Sequence, residues 1–367
     1  MKPLIVAALA CFSVASAHAL PTYNVINLGT LGGTYSFAHD INNNGQVVGV
    51  ANTVGDQEGH AFLYSNGSMT DLGTLGGTNS FGMAINDAGQ VVVTAATTNV
   101  YRRAFLYSNG SMTDLGTLGG AYSNAQDIND AGQVVGVASA ANNADRAFLF
   151  SNGNMTDLGT LGGTHSAAYG INDAGQVVGA AQTANGYNHA FLYSNGSMTD
   201  LGTLGGTFSI ASAINDAGQV VGYAETANGY HAFLYSNGSM TDLGTLGGAN
   251  SIAYDINNNG QVVGYSLIAG NGARHTFLYS NGTMYDLNSL IDPLSGWTIA
   301  DARGINDFGD IAAYGCHQVL GCRALLLDYY EPAPEDETPE GEIPEPSSLA
   351  LLGLGLAALT RRAVRKY

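Results

Sequence analysis

Short apolar runs and polar turns follow each other along this chain, and the sequence of runs repeats. In the first copy "SFAHDI" (36–41) leads into the turn "NNNG" (42–45). Then come "QVVGVA" (46–51), a variable stretch, "HAFLY" (60–64), the turn "SNG" (65–67) and "MTDLG" (69–73). The runs are rich in β-branched and aromatic residues, which favour strands. In the turns Asn or Asp opens the reversal and Gly supplies positive φ. No run has the period of an amphipathic helix. Four short antiparallel strands in about 43 residues match one blade of a β-propeller.

Two markers count the copies. "LGTLGG" starts at Leu28, Leu72, Leu115, Leu158, Leu201 and Leu243, with a worn copy, "LNSLID", at Leu287. Ile-Asn-x-x-Gly starts at Ile41, Ile85, Ile128, Ile171, Ile214, Ile256 and Ile305. Such a period signals a propeller, a solenoid or an array. The phase at the two ends favours a ring. "YNVINLG" near the start aligns with the fourth strand "SMTDLG", and "RALLLDYY" near the end is a third strand with no fourth after it. The expected fold is therefore all-β: a seven-bladed β-propeller of four-stranded antiparallel blades over residues 20–330, closed by the N-terminal strand. The alternative is a β-solenoid, which would need capping units and leaves the complementary ends unexplained.

The flanks read as addresses. Residues 1–19 combine Lys2, an apolar run and Ala17-His18-Ala19, the pattern of a secretory signal cleaved after Ala19. Residues 331–343 are acidic and Pro-rich, an extended linker. Residues 344–367 hold Pro344-Glu345-Pro346, a short apolar helix from Leu349 to Leu359 and a basic tail, which the positive-inside rule keeps cytoplasmic. The order of these three features closely resembles the PEP-CTERM sorting signal. That resemblance implies an exosortase as partner, transient anchoring in the inner membrane, cleavage near the motif, and a Gram-negative exporter that makes exopolysaccharide. A plain C-terminal membrane anchor is the other reading of the same segment.

Charge narrows the partners. Only 11% of residues are charged, and between Leu20 and Pro346 six Arg face 29 acids, a net charge of −23. Such a surface repels nucleic acid and anionic lipid. Cys316 and Cys322, six positions apart in an exported chain, are expected to form a disulfide.

The repeat unit H-A-F-L-x-x-x-G-x-M-x-D-L-G-T-L-G-G followed by I-N-x-x-G-Q-V-V-G resembles the HAF-type extracellular repeat over about residues 23–328. The family implies an exported β-repeat protein without an established activity. Tyr64, Tyr107, Phe150, Tyr193, Tyr235 and Tyr279 stand where many such units carry Trp, and the seventh unit departs most, with Leu325 for Phe and the insert "SGWTIAD".

Candidate chemistry is sparse. A basic or titratable residue precedes each third strand (His60, Arg103, Arg146, His189, His231, His275, Arg323), with Asp71 and its counterparts in reach across the hairpin. Exchange of His for Arg keeps a donor and discards acid–base chemistry, so structural hydrogen bonding is expected there. Asp40, Asn42 and Asn44, and likewise Asp255, Asn257 and Asn259, match the first half of a calcium loop. Ala51 and Ser266 stand where its closing acid belongs, so turn chemistry is the preferred reading and no cofactor is expected. "LGTLGG" lacks the Lys of a phosphate loop, and no nucleophile elbow or zinc-type cluster occurs. Arg102, Trp297, Asp301 and Arg303 break the repeat symmetry most clearly; Trp297 is expected to pack around the inserted loop rather than to stack on a sugar. These readings point to a non-enzymatic protein of the cell surface or exopolysaccharide matrix, structural or adhesive. The alternatives are a polysaccharide-acting enzyme and a multivalent glycan-binding propeller.

Overall fold

The computed structural model describes residues 22–97, 102–270 and 272–330, which belong to one unit, Leu20–Tyr330. The expected signal, linker and sorting segment lie outside the described residues. Seven four-stranded antiparallel sheets form a seven-bladed propeller. From the central channel outward, the first blade is Gly32–Ile41, Val47–Thr53, Gly59–Ser65 and Ser68–Asp71. The seventh is Trp297–Ile305, Ile311–His317, Gly321–Tyr330 and, from the other end of the chain, Thr22–Asn27. Thr22–Asn27 pairs antiparallel with Gly321–Tyr330, from Thr22 opposite Tyr330 to Asn27 opposite Leu325. The N-terminal strand thus closes the ring, and no solenoid forms.

Inner strands are longer than "SFAHDI" indicates. In blade 1 the strand begins at Gly32, inside "LGTLGG", and blades 2, 3, 4 and 6 begin at the matching Gly. Gly29 and Gly32 hold φ of 82° and 100°, a region that side chains avoid, so this hexapeptide is both loop and strand start. The worn copy leading into blade 7 and the residues after it fold instead into two 3₁₀ turns, Leu287–Ser289 and Pro293–Ser295, capped by the carboxylates of Asp286 and Asp292.

Packing between the blades explains the repeated letters. Across blade 1, Ala38 faces Gly49 and Gly49 faces Phe62. A Cβ on Gly49 would stand 2.0 Å from the carbonyl oxygen of Phe37, and Phe62 fills the space the small residues leave. Blade 2 carries Val93 at the second position and Gly82 at the first. Blade 7 shrinks Phe to Leu325 and enlarges Gly to Ala313. Volume moves between neighbours and the layer stays filled, as close-packed interiors require. Buried Ser36 and its counterparts staple adjacent blades. Ser80 Oγ donates to the Gly73 carbonyl and accepts the amide of Ala61 in the blade before. At the junction of the two chain ends the Ala324 amide donates to Ser36 Oγ.

Two hydrogen-bond rings close around the turn end of the channel. The amide group of Asn42 donates to the Asn86 carbonyl, Asn86 to Asn129, and so on through Asn172, Asn215, Asn257 and Asn306, whose amide group returns to the Asn42 carbonyl at 3.2 Å. One residue further on, each backbone N–H donates to the side-chain oxygen of the next blade. This circuit runs through Asn43, Asp87, Asp130, Asp173, Asp216, Asn258 and Asp307, and back to Asn43. Each ring Asn also accepts the amide of a residue four positions on and donates to its side chain, Gln46 in blade 1 and Asp310 in blade 7. Ile-Asn-x-x-Gly-Gln is therefore a closure motif.

Candidate functional site at the wide mouth of the channel

The two ends of the channel differ. At the turn end the seven Ile-Asn turns line a space of about 180 Å³. The calcium candidates sit here, each engaged with the protein. The Asp40 carboxylate accepts the amides of Ile41 and Ile85, and the Asp255 carboxylate those of Ile256 and Ile305, all at 2.8 Å. Asn42 and Asn257 belong to the ring, while Asn44 and Asn259 donate to the carbonyls of Asp87 and Asp307. Among the described residues, no group of three or more His, Cys, Asp or Glu is arranged to hold a metal ion. Asp127 repeats the Asp40 arrangement toward Ile128 and Ile171. Burial raises all three carboxyls: Asp40 well above its ordinary range, Asp127 to about 7 and Asp255 to about 6.

One residue upstream of those carboxyls, every inner strand carries a β-bulge. The register skips between Ala38 and Asp40, and at the same place in all seven blades. A bulge leaves one residue unpaired and re-aims its side chain. The skipped residues are His39, Met83, Gln126, Tyr169, Ser212, Tyr254 and Arg303, and all seven line one cavity of about 360 Å³ with Ile210 and Tyr223. A neighbouring lobe of about 330 Å³ shares His39, Met83 and Gln126 and adds Phe81, Thr94, Arg102 and Asn124. Two residues later the Ile is the same in every copy, and the Asn after it too. At the bulge there are six residue types in seven positions.

Charge is arranged on one side of this mouth. Blade 7 has a second bulge, between Ile299 and Asp301, just ahead of the one at Arg303. Asp301 is buried and accepts Nε and Nη2 of Arg303 at 3.0 and 2.9 Å and Nη2 of Arg274 at 3.2 Å. Arg274 also donates to the Tyr254 hydroxyl. Its guanidinium lies 3.7 Å over the Tyr265 ring, and that of Arg303 lies 4.0 Å over Tyr254. Arg102 lies over Phe81 at 5.4 Å and, among the described residues, makes no ion pair. His39 Nδ1 lies 2.8 Å from the Gly82 carbonyl, so Nδ1 carries the hydrogen and Nε2 is left as an acceptor. Desolvation lowers its pKa and keeps it neutral.

Of the four symmetry breaks, Arg102, Asp301 and Arg303 converge on this mouth. Trp297 does not; it packs on His317 at 5.2 Å, against the blade 7 core. The bulge residues other than Arg303 were not singled out from sequence. Their signal was present: two positions before a constant Ile, the repeat stops repeating. The titratable series lies away from the mouth. His60, His189, His231 and His275 pair with Asp71, Asp200, Asp242 and Asp286 at 2.5–2.8 Å, diagonally across the hairpin. Arg103 and Arg146 form no ion pair among the described residues, and Arg323 reaches the Thr34 carbonyl in blade 1. The expected pairing is thus a His–Asp pairing, because imidazole is short enough to stop at the carboxylate. Cys316 and Cys322 stand directly opposite in the last hairpin and are disulfide-bonded, with Cα atoms 4.0 Å apart.

Comparison with known proteins adds two sequence families and a set of shapes. A family model described as a protein of unknown function (DUF3466) matches residues 205–321, and the PEP-CTERM protein-sorting motif matches residues 342–366. That motif implies export, membrane-associated sorting and processing by an exosortase. No curated protein matches the chain. Among solved structures, a puromycin-hydrolysing peptidase of Mycobacterium tuberculosis aligns with a TM-score of 0.56 and 11% identity, over 83% of this chain and 53% of its own. One of two prolyl endopeptidases gives 0.53 and 11%, over 85% and 51%. An acylaminoacyl peptidase of Pyrococcus horikoshii gives 0.51 and 11%, over 84% and 54%. The chain spans about half the length of these peptidases, and at such identity the likeness is one of fold. Among the described residues no helix is long and apolar enough to cross a membrane; the expected membrane helix lies outside them.

Proposed function

We propose that this protein is an exported, non-enzymatic binding propeller that holds one ligand per ring at the wide mouth of its channel. One observation carries the reading: two residues before an Ile and Asn that never change, seven bulges aim seven side chains of six types into one cavity. A multivalent binder would keep its contact residues equal from blade to blade, and here they diverge. The polar groups of the mouth are engaged in positioning. Asp301 is held by two arginines, and His39 is tied to a carbonyl through Nδ1. The sorting motif, and the likeness of the repeat to HAF-type extracellular units, fit work at the surface or in the exopolysaccharide matrix of a Gram-negative cell after transient inner-membrane anchoring.

Binding of a glycan library to exported protein, followed by mass analysis of the bound fraction, tests this. The expected result is one unaltered ligand per ring and loss of binding on Tyr169→Ala. Shortened glycans would make the protein an enzyme; about seven ligands per ring would return the function to the outer blade surfaces.

A further inference from the structure

The wide mouth is the exception in an acidic protein. Two of the six arginines between Leu20 and Tyr330 line it, Arg303 in the cup and Arg102 in the neighbouring lobe, and a third, Arg274, stands behind them against the Tyr254 hydroxyl and the buried carboxylate of Asp301. Asp301 neutralises one of the three, so the cluster keeps a surplus of positive charge. The guanidiniums are also prepared. Each lies over an aromatic ring, and Arg274 and Arg303 are each clamped by Asp301, which leaves Nη1 of Arg303 as an unspent donor in a fixed frame at the cup.

The rest of the cup is neither uniformly apolar nor uniformly charged. Gln126, Ser212, Tyr169 and the free Nε2 of His39 offer donors and acceptors around the rim, between Met83, Ile210 and Tyr223. Such a surface suits a compact ring that has hydroxyls at its edge and C–H groups on its face. Its volume falls within the roughly 300–1,000 Å³ of small-ligand sites. An extended peptide would bind by adding to a strand edge, and each inner strand is bulged where it faces the cavity.

We infer that the wide mouth binds a carboxylated sugar, a uronate, with the carboxylate on the Arg303 side and the hydroxyl edge on the Gln126–Ser212 side. This rests on the reading of the mouth as the binding site, and it adds the class of ligand. Full-length exported protein is titrated calorimetrically with D-galacturonate, D-glucuronate, the neutral sugars galactose and glucose, and inorganic sulfate. The expected outcome is one uronate per ring, at least tenfold tighter than its neutral parent, with binding weakening as salt rises. Arg303→Gln should lose tenfold or more toward uronate and little toward galactose. Because Arg303 also braces Asp301, Arg102→Gln is the companion variant. Arg102 is exposed and makes no ion pair among the described residues, so the variant's melting temperature should match the parent while uronate binding still weakens several-fold. Equal affinity for galactose and galacturonate, or arginine variants without effect, would overturn the assignment of charge and leave the one-site reading intact. Sulfate displacing galacturonate at equal affinity would overturn the sugar. Uronate bound with unchanged affinity by Tyr169→Ala and Arg303→Gln alike would overturn the site itself.

Discussion

The turn end of the channel and its wide mouth are built from the same strands, a few residues apart, and obey opposite rules. At the turn end every blade contributes the same Ile and the same Asn, because a closed ring has no tolerance for an unequal member: each Asn donates to a neighbour and receives from the one behind. At the mouth the bulge frees one side chain per blade from any pairing duty. Seven blades then become seven independent choices, and the chain uses six residue types. Repetition maintains the ring, and divergence marks where the ring meets something else.

Breaking closure should have the largest effect. Deleting Tyr23 to Gly29 strips the outer strand from blade 7 and exposes the edge of Gly321–Tyr330. Melting temperature should fall by more than about 10 °C, or the protein should aggregate; calorimetry and light scattering read both. An unchanged transition would contradict the ring. Next comes a cut in the Asn circuit. Asn172→Ala leaves a buried carbonyl and a buried turn unpaired, a loss of about 1–3 kcal/mol. Met83→Ala, at the mouth, should cost much less stability. Chemical denaturation of both variants tests the division of labour between the two ends, and an equal loss would erase it.

A pH effect of intermediate size follows from the carboxyls between the two ends. The folded-state pKa values of Asp40, Asp127 and Asp255 are raised by burial, so the folded state holds these protons more tightly than the unfolded chain. The stability they contribute is complete below the ordinary carboxyl range near pH 4. It is lost as pH rises through about 6 for Asp255 and about 7 for Asp127. Melting temperature should therefore drop by several degrees between pH 5 and pH 8, and Asp127→Asn should flatten that slope. A rising curve over the same interval would refute the burial. The smallest effect belongs to the Cys316–Cys322 bond. It closes a short loop between strands already paired, so reduction should lower the melting temperature by a few degrees at most, and free thiols in native exported protein would remove the bond altogether.

The architecture was legible because it is written seven times. Ile-Asn-x-x-Gly counts the blades, and "YNVINLG" against "RALLLDYY" shows the closure in the letters alone. The inner strand was read too short, since Gly32 in a loop-like hexapeptide looks like a strand breaker, while here its positive φ starts the strand. The mouth was only half legible. Arg102, Asp301 and Arg303 stood out as departures from a pattern, whereas Tyr169 or Ser212 differ from their counterparts without looking unusual. Their meaning comes from the bulge, a backbone event with no residue signature of its own. The calcium-like loops show the converse: the oxygens are present in sequence, and the fold spends them on neighbouring blades.

The shared seventh blade also sets a timetable. Ser36 meets Ala324, and Asn42 meets Asn306, only after all the intervening blades exist. Joining ends separated by roughly 300 residues costs about 5 kcal/mol of chain entropy if nothing lies ordered between them, and far less once six stacked blades already hold the ends close. Closure is therefore expected as the last step of folding, with Thr22–Asn27 waiting unpaired while the blades assemble in order. For an exported chain, the first strand to emerge on the far side is the last to find its partner. The final blade then reports that all seven blades have crossed.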